Sequence, residues 1–324
     1  MWYQALRTMP QVDKSQWSEL DPLSRWLIAS RASVLLMTFT SCAVGGLLAL
    51  HDGVFNGYYF FLVMVGLLLA HATNNLLNDL TDSARGIDSD DYHRNRYGTH
   101  VLEHGLLSRS EMLRYIALTG GLALLVGAIL VWERGGITLG LLATGAFFVL
   151  FYTYPLKYIG LGEPAVLLVW GPLMIGGSYF VIAGHWSWSV AWVSLVYALG
   201  PTSVLFGKHT DKLEVDKAKG VRSLPVLLGQ ERARNTVIVM LVLQYLLIVG
   251  LVLAQYCGPW MLLVLLNLPS LWRLIAAYRD APPTQRPDDF PVEVWPLWYA
   301  AHAFDHTRKF SGLFLLGLVL DIWL

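Results

Sequence analysis

HATNNLLNDLTDSARGIDSDD, residues 71–91, decides how the rest of the chain is read: an aliphatic run leads into it, and it closes on a cluster of asparagines and carboxylates. A helix that continues to Asp82 puts Asn75, Asn78, Asp79 and Asp82 at positions i, i+3, i+4 and i+7, so that all project from one face. Like charges at the end of a buried helix are costly unless a cation neutralises them, and hard oxygen donors of this kind suit magnesium. The stretch therefore predicts a divalent metal together with an anionic ligand.

Composition sets the solvent. Of the 324 residues, 55% are hydrophobic and 14% charged, whereas about a quarter of a soluble domain is charged. The chain reads as an integral membrane protein. Its formal net charge is zero, which gives no reason to expect a nucleic acid partner. Cys42 and Cys257 lie far apart in apolar runs, without metal-ligand spacing, and read as small buried hydrophobes. The first apolar run is long enough to span, so no cleavable signal peptide is expected.

Runs of about 20 apolar residues, the length a bilayer crossing needs, start with Trp26–Leu50 and a second from Tyr58 into the acidic cluster. Others lie near Leu113–Trp132, Ile137–Tyr154, Pro164–Ala183, Trp188–Phe206, Thr236–Tyr256 and Pro259–Tyr278, with a last near Lys309–Leu324 whose start reaches back as far as Trp295. The expected fold is all-α and polytopic, with nine transmembrane helices over residues 26–324 behind a polar, interfacial segment, residues 1–25. The distribution of Lys and Arg tests this layout. Of the 23 in the chain, only Arg134 falls on the far side. The N-terminus and every long polar loop are thus expected in the cytoplasm, with the chain in the cell's inner membrane.

A second cluster, KHTDKLEVDKAKGVRSLPVLLG, residues 208–229, leaves the sixth span as the first leaves the second. The chain so reads as a weak internal duplication with one acidic loop per repeat. Here Asp211, Glu214 and Asp216 stand among Lys208, Lys212, Lys217, Lys219 and Arg222. Carboxylates for magnesium, mixed with cations for the remaining phosphate charge, are what a metal–diphosphate site requires. Two such clusters facing each other suit the ionisation of an allylic diphosphate, because metals stabilise the charge that builds on the leaving group.

With these residues in view, Asn78-Asp-Leu-Thr-Asp82 resembles the Asn-Asp-x-x-Asp signature of the UbiA superfamily of intramembrane prenyltransferases. Arg31, Tyr154-Pro-Leu-Lys157, Gly160-Leu-Gly-Glu163 and the run from Asp216 to Gly229 agree with it, and Gly86-Ile-Asp88 with Gly-Leu-Gly-Glu is most similar to the branch that prenylates 1,4-dihydroxy-2-naphthoate. The resemblance implies nine helices around a central cavity that opens to the cytoplasm. It implies magnesium at Asn78, Asp79, Asp82 and Asp216, with Asn75, Asp88 and Asp211 as further ligands, and Asp79, Asp82 and Asp216 as the catalytic carboxylates. It also implies a diphosphate held by Arg31, Arg85, Tyr154, Lys157, Lys208, Lys212 and Arg222, an aromatic acceptor and membrane lipid as partners, and a place in menaquinone-type quinone biosynthesis. The chain departs from the pattern where Lys212 stands four residues before Asp216 in place of an Asp, Asp211 lying five before, and at Tyr97-Gly98-Thr99-His100, where the branch carries an Arg near a Gly. Five residues turn a helix by about 500°, so Asp211 and Asp216 share a face only where the helix bends or ends.

Other readings make different demands. A terpene cyclase of the same superfamily ionises the diphosphate identically and lets the cation close on itself, and transfer to another acceptor shares the same loops. Asp79-x-x-Asp82-x-x-Arg85 also suggests a CDP-alcohol phosphotransferase, but Ser83 stands where that family has Gly. A transporter would place its carboxylates near the bilayer midplane, not at one end of the spans.

Overall fold

The computed structural model describes residues 1–86, 98–292 and 294–324, and among these every regular element is helical. Three short helices come first, α1 (Trp2–Arg7), α2 (Lys14–Glu19) and α3 (Pro22–Ala29), followed by α4 (Ala32–His51), α5 (Gly57–Ala84), α6 (Arg109–Arg134) and α7 (Gly136–Phe151). Next come α8 (Gly162–Ala183), α9 (Trp188–Asp211), the short α10 (Leu213–Ala218) and α11 (Leu224–Leu228), then α12 (Gln230–Leu253), α13 (Pro259–Arg279) and α14 (Trp298–Trp323). Seven of these, α4, α5, α6, α8, α9, α12 and α13, are long and apolar enough to cross a membrane. Helix α7 is apolar but has 16 residues, and α14 has 26 with Asp305, Arg308, Lys309 and Asp321 among them. Leu118, Leu125, Val239 and Leu246 are each more than half exposed, on faces where a soluble helix would present charge. The protein is an integral membrane protein.

The chain divides into two compact units, Met1–Phe39 with Leu62–Tyr154, and Thr40–Phe61 with Pro155–Leu324. In the first, the apolar run expected as one span from Trp26 is broken, α3 ending at Ala29 and α4 starting at Ala32. Arg31 sits in the break with φ 56°, in the left-handed region, which is unusual for a residue with a side chain. A break frees backbone groups that need partners, and the Asn75 side chain donates 2.8 Å to the Ser30 carbonyl. The N-terminal segment, expected as an interfacial lead-in, is folded. Asp13 and Gln16 form a capping box on α2, Asp21 caps α3, and Ala5, Val12 and Trp17 are buried with Val101 and Met112. Burying the Trp17 ring alone contributes on the order of 2 kcal/mol.

In the second unit α8 widens to a π-helix over Val169–Gly176. Pro172 lies inside that stretch, and its ring would crowd the carbonyl four residues back in a regular α-helix. Helix α9 meets the start of α14 at Gly207, where a Cβ would come within 2.9 Å of Ala300 N and 2.6 Å of the Tyr278 hydroxyl. Only a glycine permits this approach, and it brings Asp211, one turn further along the same face, to the end of α14.

Candidate active site

The first acidic cluster lies on the last three turns of α5, which runs to Ala84 and so keeps the predicted helical spacing through Asp82. Asn75, Asp79 and Asp82 are buried, Asp79 completely. Arg31 reaches in from the α3–α4 break. Its Nη2 lies 3.2 Å from Asp79 Oδ1 and donates to the Asn75 carbonyl at 3.0 Å and to Asn78 Oδ1 at 3.2 Å. The Asn78 amide donates to Asp82 Oδ2 at 3.1 Å and to Thr153 Oγ1 at 3.2 Å. Thr153 has no counterpart in the sequence expectation, because nothing marks it until the helices are placed. Asp79 is completely buried and Arg31 half-buried, so loss of the arginine removes a countercharge where water replaces it poorly.

Just past the end of α5, the Arg85 guanidinium stacks 3.6 Å over the Tyr154 ring, so two of the predicted diphosphate residues come together. Ser83 donates 2.5 Å to Glu103, tying α5 to the segment before α6. In that segment Thr99, at the departure from the expected Arg, donates 2.7 Å to the Pro10 carbonyl and accepts 3.0 Å from the Val12 N–H. It holds the N-terminal segment in place. Asp88 lies outside the described residues.

The second cluster sits where α9 ends and α10 begins. Lys212 is the linking residue, and its Nζ lies 3.2 Å from Asp216 Oδ1, with both side chains buried. Burial pushes the Asp216 carboxyl up, but the charges of Lys212, His209 and Lys157 and the hydrogen bond from Lys212 outweigh it and hold the group below the usual carboxylate range. Lys157, on a short 3-10 turn over Leu156–Ile159, is thus drawn into the Asp216 environment, Lys208 is half-buried on α9 and Arg222 is exposed.

Asp211 behaves differently from its expected role as a metal ligand. Its two carboxylate oxygens accept the backbone N–H groups of Tyr299 and Ala300, each at 2.9 Å. These are second- and third-position donors of α14, which have no partner inside their own helix, so Asp211 caps α14 from the end of α9. The helix does end before Asp216, as the five-residue spacing required, but both oxygens of Asp211 are used elsewhere.

One pair escaped the sequence reading. His209 Nδ1 lies 2.6 Å from Glu163 Oε1, and Glu163 Oε2 accepts the Leu224 N–H at 3.2 Å. Both side chains are buried at the ends of apolar helices. The available signal was an ionisable residue beside the end of each of two predicted spans, costly where it is buried unless paired.

Among the described residues no three His, Cys, Asp or Glu side chains converge as a metal cage. His302 and His306 lie one turn apart on α14, and His306 instead bonds the Tyr245 hydroxyl at 3.0 Å. The donor chemistry of the first cluster still fits magnesium, which takes one or two carboxylates and completes its shell with water and substrate phosphate. Asp79, Asp82 and the Asn78 amide oxygen are such donors, with a guanidinium beside them suited to phosphate.

The sequence profile of the UbiA prenyltransferase family matches residues 38–295. A 2-carboxy-1,4-naphthoquinone phytyltransferase of Synechocystis sp. is 29% identical over 272 residues, 79% of this chain and 84% of that one. A 1,4-dihydroxy-2-naphthoate octaprenyltransferase of Escherichia coli is 29% identical over 222 residues, 65% of this chain and 70% of that one. Among solved structures, a UbiA homologue from Aeropyrum pernix aligns with a TM-score of 0.66 at 15% identity, covering 89% of this chain and 98% of that one. One from Archaeoglobus fulgidus, bound to GPP and Mg2+, aligns with a TM-score of 0.55 at 16% identity, covering 91% and 99%.

Proposed function

The chain belongs to the UbiA prenyltransferase family, and from that premise we propose that it transfers a prenyl group from a prenyl diphosphate to an aromatic acceptor, 1,4-dihydroxy-2-naphthoate being favoured. The observation that carries the proposal is the set of Asn78, Asp79 and Asp82 on one face at the polar end of an apolar helix, with Arg31 against it. The names of relatives at 29% identity support the acceptor, and the GPP and Mg2+ of the Archaeoglobus protein support donor and metal. In this reading nine helices cross the membrane, α7 and α14 with the seven that are both long and apolar, and the N-terminus and polar loops lie in the cytoplasm.

Asn78, Asp79, Asp82 and Asp216 would hold magnesium, which supplies positive charge to the departing diphosphate when bound. Arg31, Arg85, Lys157, Lys208, Lys212 and Arg222 take phosphate oxygens, and Tyr154 keeps Arg85 in place by stacking. The allylic C–O bond breaks with its electron pair going to the diphosphate. The electron-rich ring attacks the resulting cation and then loses a proton. Apolar walls exclude water, the competing nucleophile. Asp211 is left out of the metal set, because its oxygens cap α14.

The test is purified protein with magnesium and a panel of prenyl diphosphates, with and without dihydroxynaphthoate, followed by mass analysis. Diphosphate release that depends on the acceptor, with a prenylated derivative of that acceptor as product, is expected. Rapid release without acceptor, leaving a cyclic terpene, would replace transferase with cyclase.

A further inference from the structure

One carboxylate grips both ends of the second loop. Glu163 accepts from Leu224, which follows the loop, and pairs at 2.6 Å with His209, which precedes it. Gly160, three residues earlier, has φ 78°, and a Cβ there would come within 2.5 Å of Leu227 and 3.6 Å of the Arg222 carbonyl. The turn and the far stem of the loop are therefore in direct contact. Helix α10 has six residues, too few to be stable alone, and Glu214, Lys217 and Gly220 are exposed. Yet Lys212 and Asp216 within the loop are buried and paired.

We propose that the Gly160-Leu161-Gly162-Glu163 turn is the seat of the Lys212–Arg222 loop, and that Glu163 is a positioning residue which, by holding both stems, places Lys212 and Asp216 for the diphosphate. The inference rests on the transferase reading and deepens it. Glu163 acts through the loop and touches no reacting atom.

The experiment compares Glu163→Ala, Glu163→Gln and Leu224→Pro with the wild-type chain. Proline is tolerated in the first turn of a helix, so Leu224→Pro removes the N–H that Glu163 holds, together with the half-buried leucine side chain, without breaking α11. Two readings are taken, tryptic cleavage after Lys217 without substrate, and turnover of geranyl diphosphate with magnesium and dihydroxynaphthoate. Glu163→Ala should speed cleavage about tenfold at temperatures well below its own thermal midpoint, where local opening rather than global unfolding exposes the loop. It should also raise the KM for geranyl diphosphate and the magnesium half-saturation by about tenfold, with kcat within roughly threefold. Glu163→Gln keeps an acceptor for Leu224 and should recover most of both. Unchanged cleavage and KM in Glu163→Ala, or lost kcat with neither moved, would overturn the seat. If Glu163→Ala does not fold, Leu224→Pro decides by the same readings. Should the wild-type chain turn over no acceptor, the transferase reading fails and cleavage alone judges the seat.

Discussion

Arg31 carries two opposed costs at one residue. Its left-handed backbone is disfavoured by about 1–2 kcal/mol for a residue with a Cβ, while its guanidinium offsets the charge of the fully buried Asp79. Arg31→Gly and Arg31→Ala should therefore lose turnover alike, but the Gly variant should be the more stable by about 1 kcal/mol, since glycine adopts that backbone freely. Equal thermal midpoints would mean that the break is not strained. At Asp211 spacing and geometry make opposite forecasts. As a metal ligand it would raise the magnesium requirement when removed. As a cap it should cost about 1–2 kcal/mol of stability, with the magnesium half-saturation of Asp211→Ala as in wild type, while Asp216→Ala raises it. Magnesium titrations of the two variants, read beside their melting curves, separate the roles. The first cluster was legible in the sequence because one uninterrupted helix fixes spacings of three, four and seven. The second was not, because α9 ends inside it and sequence alone does not say where freed carboxylates turn.

Among elements, the short N-terminal helices were the least legible. Their residues mix polar and apolar without a regular pattern, and the signal lay in caps: Asp13 with Gln16, and Asp21 ahead of Pro22. Asp21 accepts from Ser24 through both its hydroxyl and its N–H, and these bonds, with a further one from Trp2, lower its pKa to about 2. A carboxyl whose folded pKa is depressed adds stability that is complete above its unfolded value, about 3.9, and is lost as pH falls toward the folded one. The segment should thus loosen between about pH 4 and pH 2, before the membrane helices do. Hydrogen exchange of residues 2–29 across that range reads it, and Asp21→Asn should exchange faster at pH 6 and show little of the transition. A wild-type segment whose exchange is flat over the range would show that the cap does not hold it. The spans were read more closely than the caps, since lipid demands some 20 apolar residues whatever the packing. The break at Arg31 was hidden because Ser30-Arg31 carries no glycine or proline to announce it.

For the whole molecule the open quantity is orientation, and the charge pattern argues it. Helices α6 and α7 are joined through Gly135 alone, with Glu133 and Arg134 at the turn, so that hairpin has no room for a polar domain. Of the 23 Lys and Arg residues, the remainder fall in stretches expected on the opposite side, and basic residues near span ends are retained in the cytoplasm. Glu133 and Arg232 are exposed, and neither belongs to either acidic cluster. In a chain with Cys42 and Cys257 replaced by alanine, Glu133→Cys should react with a membrane-impermeant maleimide in intact cells, and Arg232→Cys only after the membrane is opened. The order matters for the chemistry, since the first cluster closes α5 and α5 enters the membrane from the α4–α5 turn at Asp52 and Gly53. If Glu133 and Arg232 were labelled from the same side, an odd number of crossings between them would be impossible. The assignment of α7 as a full span, at 16 residues the weakest of the set, would then be the first to go.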